Sequence, residues 1–288
     1  MPASRSIARS WPISPSPISP RSVVSVRRPR RRSPERVHLN HELVPSNPAV
    51  QRVRRLIGRR TSRLDEGLFV VEGRTLVREA VDAGWTVIEQ FVAPDTDPVE
   101  GAGTVRRVAA GVIERVADTE SPQPVLAVVE RRFAESALLS RASFVVVADG
   151  LADPGNLGTL LRSAEASGAD AVMITSGSVD PSNPKVVRSS AGAVFRVPII
   201  EAGSLDDVAR AGLVRIGTSS HHGSTHTEID LVRRVALVLG NEAHGLSDDA
   251  NVDEWVTIPH AGRAESLNVA MAGTVLCFEV ARQRRAVG

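Results

Sequence analysis

The sequence predicts an α/β protein made of two successive units, and three observations carry that prediction. From about residue 45, short β-branched apolar runs alternate with amphipathic ones. The run Phe144-Val145-Val146-Val147-Ala148 reads as a buried strand, and a helix follows it after the loop at Asp153-Pro154-Gly155. Three glycine-marked loops each follow a strand in the C-terminal half. Glycines there permit φ > 0 and close approach of backbone to a ligand. Polar groups thereby gather at the carboxyl edge of a sheet, where open α/β folds bind their ligands.

Residues 1–44 form a basic arm rich in Arg, Ser and Pro. Residues 1–63 hold 15 Arg against two acids, Glu35 and Glu42, although the whole chain of 288 residues carries only +2. The Arg/Ser bias would suit a transit peptide, but Pro12, Pro15, Pro17, Pro20 and Pro29 break the helix that such a peptide needs. The arm is read as disordered, either a solvated tail or an RNA-touching one. No apolar run approaches the length of a membrane span. The one cysteine, Cys277, sits in an apolar pattern and reads as a core residue, and the expected compartment is the cytoplasm.

Residues 45–131 read as a small α/β unit. A helix over 48–57 turns Val53, Leu56 and Ile57 inward, and its other face and the following turn carry Arg52, Arg55, Arg59, Arg60 and Arg63. Arg59, Arg60 and Arg63 are the expected contacts to RNA phosphates, because arginine forks match phosphate oxygens and lysine is nearly absent. Strands follow at 68–72, 87–92, 103–108 and 125–129, with a helix through Ala83 and another near 109–117. Residues 132–142 read as a linker. Residues 143–288 repeat the rhythm. Strands are expected at 143–148, 171–175, 195–200, 214–218, 236–239 and 255–258, and helices at 156–167, 183–190, 204–211 and 266–284. The last helix is apolar over most of its circumference, which suggests an enclosed position or a dimer interface.

The chemistry lies in the three loops. In the first, Asn156 is the expected helix N-cap, and Gly158 strips away bulk one turn before Arg162. An Arg beside bare backbone suits a phosphate or a developing anion, whereas the plainer reading is a capped helix with one exposed Arg. The second is Gly240-Asn241-Glu242-Ala243-His244-Gly245-Leu246, and the third runs from Ile258-Pro259 to Ser266-Leu267-Asn268-Val269. There is no G-x-G-x-x-G and no P-loop, so a standard dinucleotide or NTP cradle is not expected. His221, His222 and His226 share a loop without a cysteine or a well-spaced fourth ligand, and no metal is assigned.

These motifs, D-P-G-N-x-G-x-x-x-R, G-x-E-x-x-G-L and I-P-x-x-G-x-x-x-S-L-N-V, resemble in this order the SpoU-type (TrmH-like, SPOUT superfamily) RNA 2′-O-ribose methyltransferases. The resemblance covers about residues 143–285. More weakly, Arg63 through Phe69-Val70-Val71-Glu72-Gly73 resembles the substrate-binding domain that precedes this catalytic domain in rRNA methyltransferases.

The resemblance implies a trefoil-knotted domain using S-adenosylmethionine as a homodimer, preceded by a small L30e-like RNA-binding domain. It implies that Thr218, Leu239, Gly240, Ile258 and Leu267 hold the cofactor, and that Arg162, Asn156, Glu242, Ser266 and Asn268 surround the reacting groups. His260 departs from the family, which commonly has Met there.

A ribose hydroxyl attacks only as its proton leaves, so the site must align the reactants and stabilise negative charge on oxygen. A guanidinium stays protonated, so Arg162 is read as a cation rather than a base. Glu242 either orients Arg162 or an amide, or closes a turn by accepting backbone N–H groups. The expected substrate is rRNA, with tRNA as the alternative. A non-catalytic RNA-binding protein is the alternative of another class.

Overall fold

The computed structural model describes residues 42–247, 249–263 and 265–287. The basic arm lies outside the described residues except for 42–44, where Leu43 makes a parallel bridge to Val108.

Helix α1 (Pro48–Gly58) opens on Asn47, whose side chain accepts the Ala49 N–H at 2.9 Å, and Pro48 has no N–H to leave unpaired. Val50, Val53 and Leu56 turn inward. Arg59 is extended (φ −130°, ψ 117°) and separates α1 from α2 (Arg60–Glu66), which Gly67 ends at φ 64°. Then come β1 (Leu68–Glu72), α3 (Arg74–Asp82), β2 (Val87–Val92), β3 (Thr104–Arg107), α4 (Val112–Val116) and β4 (Val125–Glu130). They build a four-stranded sheet in the order β1-β4-β2-β3, with β4 antiparallel to both neighbours.

The second sheet uses β5 (Phe144–Ala148), β6 (Ala171–Thr175), β7 (Ile199–Gly203), β8 (Val214–Thr218), β9 (Ser224–Thr225), β10 (Val235–Leu239) and β11 (Glu254–Thr257). Between and after them run α5 (Pro154–Ser167), α6 (Pro184–Ser189), α7 (Ala193–Arg196), α8 (Leu205–Arg210) and α9 (Val269–Val287). The order is β7-β6-β5-β10-β8-β11-β9, and every pairing is parallel. Strand alternation sorts its faces. Phe144, Val146 and Ala148 join Leu157, Leu160 and Leu276 of α5 and α9, whereas Val145 and Val147 join Val208 of α8 and Leu139.

One face of the four-stranded sheet belongs to the same core. Phe69 packs with Trp85 and Phe195, at ring-centroid distances of 5.9 and 6.5 Å, and the Trp85 Nε1–H donates to the Phe195 carbonyl at 2.9 Å. Residues 132–142, read as a linker, pack on the second sheet. The Ala134 N–H donates to Ile199 O at 2.7 Å, and Leu139 and Ala142 are buried around a 3-10 turn, Ser136–Ser140.

Several boundaries differ from the sequence expectation, each for a local reason. The strand expected at 195–200 starts only at Ile199, because 193–196 form a helical turn and Pro198 has no N–H for the ladder. Residues 60–66, read as a turn, are helical. The helix expected from 266 begins at Val269, since the Asn268 side chain caps it by accepting from Ala270 N–H (2.9 Å) and Met271 N–H (3.2 Å). Asp153, not Asn156, caps α5: its carboxylate accepts the Asn156 N–H at 2.9 Å. Cys277 is buried as expected, and burial pushes its thiol up to about 12.

Candidate active site

The loops after β5, β8, β10 and β11 meet at the carboxyl edge of the parallel sheet, around a cavity of about 680 Å³. Thr218, Leu239, Gly240, Ile258 and Leu267 all line it, as do Asn156, Glu242, Ser266 and Asn268. Nine residues scattered over 113 positions of chain are therefore gathered at one place.

A single carboxylate ties the loops together. Glu242 Oε1 accepts the Asp153 N–H at 2.8 Å and the Asn156 Nδ2–H at 3.1 Å, while Oε2 accepts the Ala152 N–H at 3.0 Å. Asn156 Oδ1 in turn accepts from Asn268 Nδ2 at 3.0 Å. The first, second and third loops are thus joined in one chain of bonds, from Ala152 through Glu242 and Asn156 to Asn268. Burial would raise the Glu242 carboxyl, but the Ala152 N–H, the Asn156 amide and the Asp153 N–H outweigh it and hold the group below its usual range. Glu242 is therefore an ionised anchor whose acceptors are engaged, and it orients an amide and closes a turn rather than touching Arg162.

Gly240 admits no side chain. A Cβ built on it would lie 2.3 Å from Gly245 C and 2.4 Å from Leu246 N, backbone that cannot swing aside. The loop folds back through Gly245 N–H to Asn241 O at 2.8 Å, and Asn241 Nδ2–H donates to Gly150 O at 2.9 Å. Gly158, by contrast, serves helix packing. It is buried, and its Cβ would strike Ser189 of α6 at 1.9 Å, so it opens no path to a ligand as the sequence had suggested.

Arg162 is not in the cavity. It is exposed two turns along α5 from the capping Asp153 and makes no hydrogen bond or ion pair among the described residues. The cavity lining includes two carboxylates, Glu242 and Glu265, and no Arg or Lys among the described residues. A phosphate would find no fixed cation there, whereas a positively charged ligand would be complemented.

Arg59 and Arg60 are exposed as expected, but Arg63 corrects the sequence reading. It is buried, with Nε 2.7 Å from Asp180 Oδ2 and Nη1 donating to Leu56 O and Ile57 O, so its fork is turned into the protein rather than presented to RNA. Sequence reading also passed over Ser219 and weighed His222 only as a metal ligand, and both line the cavity. His222 packs on Trp255 with centroids 4.7 Å apart, and its Nδ1 is 3.0 Å from Ser219 Oγ. The available signal was their position just after β8, a parallel strand ending at the same edge.

The family model described as the SpoU rRNA Methylase family matches residues 143–278, and the MRM3-like substrate binding domain matches residues 47–127. The 23S rRNA (guanosine(2553)-2′-O)-methyltransferase RlmP of Bacillus subtilis is 32% identical over 74% of this chain and 88% of its own length. The 23S rRNA (uridine(2479)-2′-O)-methyltransferase of Streptomyces viridochromogenes is 30% identical over 87% of this chain and 95% of its own. Among solved structures, the AdoMet-bound rRNA methyltransferase from Sinorhizobium meliloti superposes with a TM-score of 0.75 at 30% identity, covering 84% of this chain and 98% of that one. With its three motif loops joined at one sheet edge, the chain belongs to the SpoU rRNA methylase family.

Proposed function

We propose that this protein transfers a methyl group from S-adenosylmethionine to a ribose 2′-hydroxyl of ribosomal RNA. The observation that carries the reading is the cavity: three loops bonded through Glu242, an apolar wall of Leu239, Ile258 and Leu267, and carboxylates without a fixed cation. The donor is cationic and its adenosine is flat and largely apolar, so these residues fit it. Its volume suits a ligand of this size. When bound, the donor supplies an electrophilic methyl that needs no further activation. Asn156 and Asn268 stand at the rim, where they can orient the incoming ribose. Arg59 and Arg60 would hold RNA phosphates.

The reading includes a homodimer with a knotted C-terminal domain, acting in the cytoplasm. Met271, Val275 and Phe278 of α9 are 62%, 39% and 44% exposed at i, i+4 and i+7, an apolar stripe that a second copy would cover. Helix α5 lies alongside, joined by the Ser163 and Thr274 hydroxyls at 2.7 Å. Arg162, the exposed neighbour of Ser163 in sequence, is taken to lie beside that stripe. On this reading Arg162 reaches the partner's pocket and stabilises negative charge on the reacting oxygen or a neighbouring phosphate.

Labelled donor and deproteinised rRNA test the activity: ribose-methylated RNA is expected, and absence of donor binding by the folded protein would overturn it. Mixing tests the placement of Arg162. Co-refolding Arg162→Ala with the donor-site variant Gly240→Ala makes half the dimers mixed, each with one complete site, so about a quarter of wild-type activity should return. No recovery would place Arg162 in its own protomer's site.

A further inference from the structure

We propose that Arg63 and Asp180 are positioning residues for methyl transfer. They lock the arginine face of the N-terminal unit at one offset from the catalytic loop and so select which ribose reaches the pocket. The inference rests on the function proposed above.

The two side chains meet across 117 residues of sequence, and both are essentially removed from water, at 3% and 2% exposure. Arg63 Nε donates to Asp180 Oδ2 at 2.7 Å, and Nη1 donates to Leu56 O at 2.9 Å and Ile57 O at 3.1 Å. One guanidinium thus fixes the end of α1 and the body of α2 onto a loop of the catalytic unit. Arg59 sits at the N-cap of α2 and Arg60 is its first residue, so locking α2 locks both.

Asp180 is itself over-determined. Its Oδ1 accepts the Ser182 N–H at 2.8 Å and lies 3.5 Å from Arg131 Nη2. Arg131 donates to both carboxylate oxygens of Glu201, at 2.7 and 2.9 Å, and to Ser182 Oγ at 2.9 Å.

The loop that carries Asp180 also braces the catalytic loop. The Val179 N–H donates to Leu151 O at 2.8 Å, and the residues after Leu151 supply the N–H groups that hold Glu242. Farther on, Ser189 Oγ–H lies 3.2 Å from Pro154 O, and Arg188 of the same helix, α6, pairs with Glu72 of β1 at 3.3 Å. The segment from Ser178 to Ser189 therefore touches the N-terminal unit on one side and the Asp153–Asn156 turn on the other.

A buried ion pair contributes little more to stability than a well-packed apolar pair would, but it demands one geometry. Fixed geometry is what a measuring device needs. An RNA seated on Arg59 and Arg60 then presents one ribose to the cavity rather than a range of them.

The test uses the full chain with S-adenosylmethionine and two substrates. One is deproteinised rRNA, and the other is a short oligonucleotide spanning the nucleotide that the wild type methylates in it. The oligonucleotide is too short to reach the arginine face and does not depend on the offset. Asp180→Asn keeps the shape and removes the charge. Its donor affinity should stay within about twofold of wild type, and its kcat on rRNA should fall about tenfold to a hundredfold, the cost of ångström-scale misplacement. Turnover of the oligonucleotide should be unchanged, and methyl mapping of the rRNA should show neighbouring riboses modified.

An equal loss on both substrates, or no loss on either, would overturn the proposal. Should Asp180→Asn not fold, Glu201→Gln decides by the same comparison, because Glu201 lies at the half-buried end of the network. A wild type that methylates neither RNA would overturn the proposed function and this inference with it.

Discussion

Replacing Glu242 by glutamine keeps the side chain's shape and turns one acceptor oxygen into a donor. Oε1 accepts two hydrogen bonds and Oε2 one, so in the less disruptive orientation the new NH2 faces the Ala152 N–H, and a bond becomes a clash of donors. Bonds to a sheltered charge contribute about 1.5–3 kcal/mol each. Glu242 is exposed enough for solvent to screen part of this, which leaves about 1–2 kcal/mol. The bonds order the loops that line the cavity, so the loss should appear as a weakening of S-adenosylmethionine binding by about five- to thirtyfold.

Titration calorimetry at neutral pH measures it, and a melting curve should move down by only a few degrees, about 2–4 °C per kcal/mol for a chain near this size. The pH dependence has a definite sign. The folded carboxyl lies below its ordinary value of 4.5, so the charged form's contribution is complete above that value and is lost as pH falls through the lower, folded one. The gap between wild type and variant should therefore be flat around neutrality and close in acid. Equal donor affinities at neutral pH, or a gap that widens as the pH drops, would refute the reasoning.

Gly240→Ala should abolish measurable donor binding while the rest of the fold melts cooperatively, since its Cβ meets the Gly245 and Leu246 backbone and the loop must move. Calorimetry with the donor checks it. Arg59→Gln with Arg60→Gln should weaken rRNA binding and reduce the slope of log K against log salt by about 1.4–1.8, at about 0.7–0.9 for each phosphate no longer neutralised. Binding measured over a range of salt concentrations checks it, and an unchanged slope would make both side chains merely solvated.

The catalytic sheet was readable because it is buried on both faces. Strands such as Phe144–Ala148 and Val235–Leu239 are continuous apolar runs, and the loops that follow them carry the glycines. The site was readable as a set of loops but not as a network. Sequence spacing puts Asn156 near a helix start, but which residue caps depends on whether Asp153 or Asn156 turns back to the backbone, and here Asp153 does. Asn156 is thereby freed to bridge Glu242 and Asn268, a role that only the folded chain reveals. The short strand Ser224–Thr225 and the helix Arg60–Glu66 carry no apolar period, because neighbours rather than their own pattern hold them in place.

Arginine was the hardest residue type to read, for a physical reason. The same guanidinium can bind a phosphate, lie in solvent or satisfy a buried carboxylate, and local sequence does not separate these. Arg59, Arg60 and Arg63 lie within five positions, yet Arg63 alone points into the seam. What decides is a distant partner: Asp180 is buried and ionisable, and without a guanidinium beside it the cost of removing it from water would be severe. Arg63 is thus required by a carboxylate that sequence reading had not singled out, and Arg162 is left exposed because no such carboxylate faces it among the described residues. An arginine with no internal partner beside an apolar stripe is available to a second molecule, whereas one that meets a buried acid serves the frame. On the function proposed above, the exposed Arg162, Arg59 and Arg60 serve the chemistry and its substrate, and the buried Arg63 sets the distance between them.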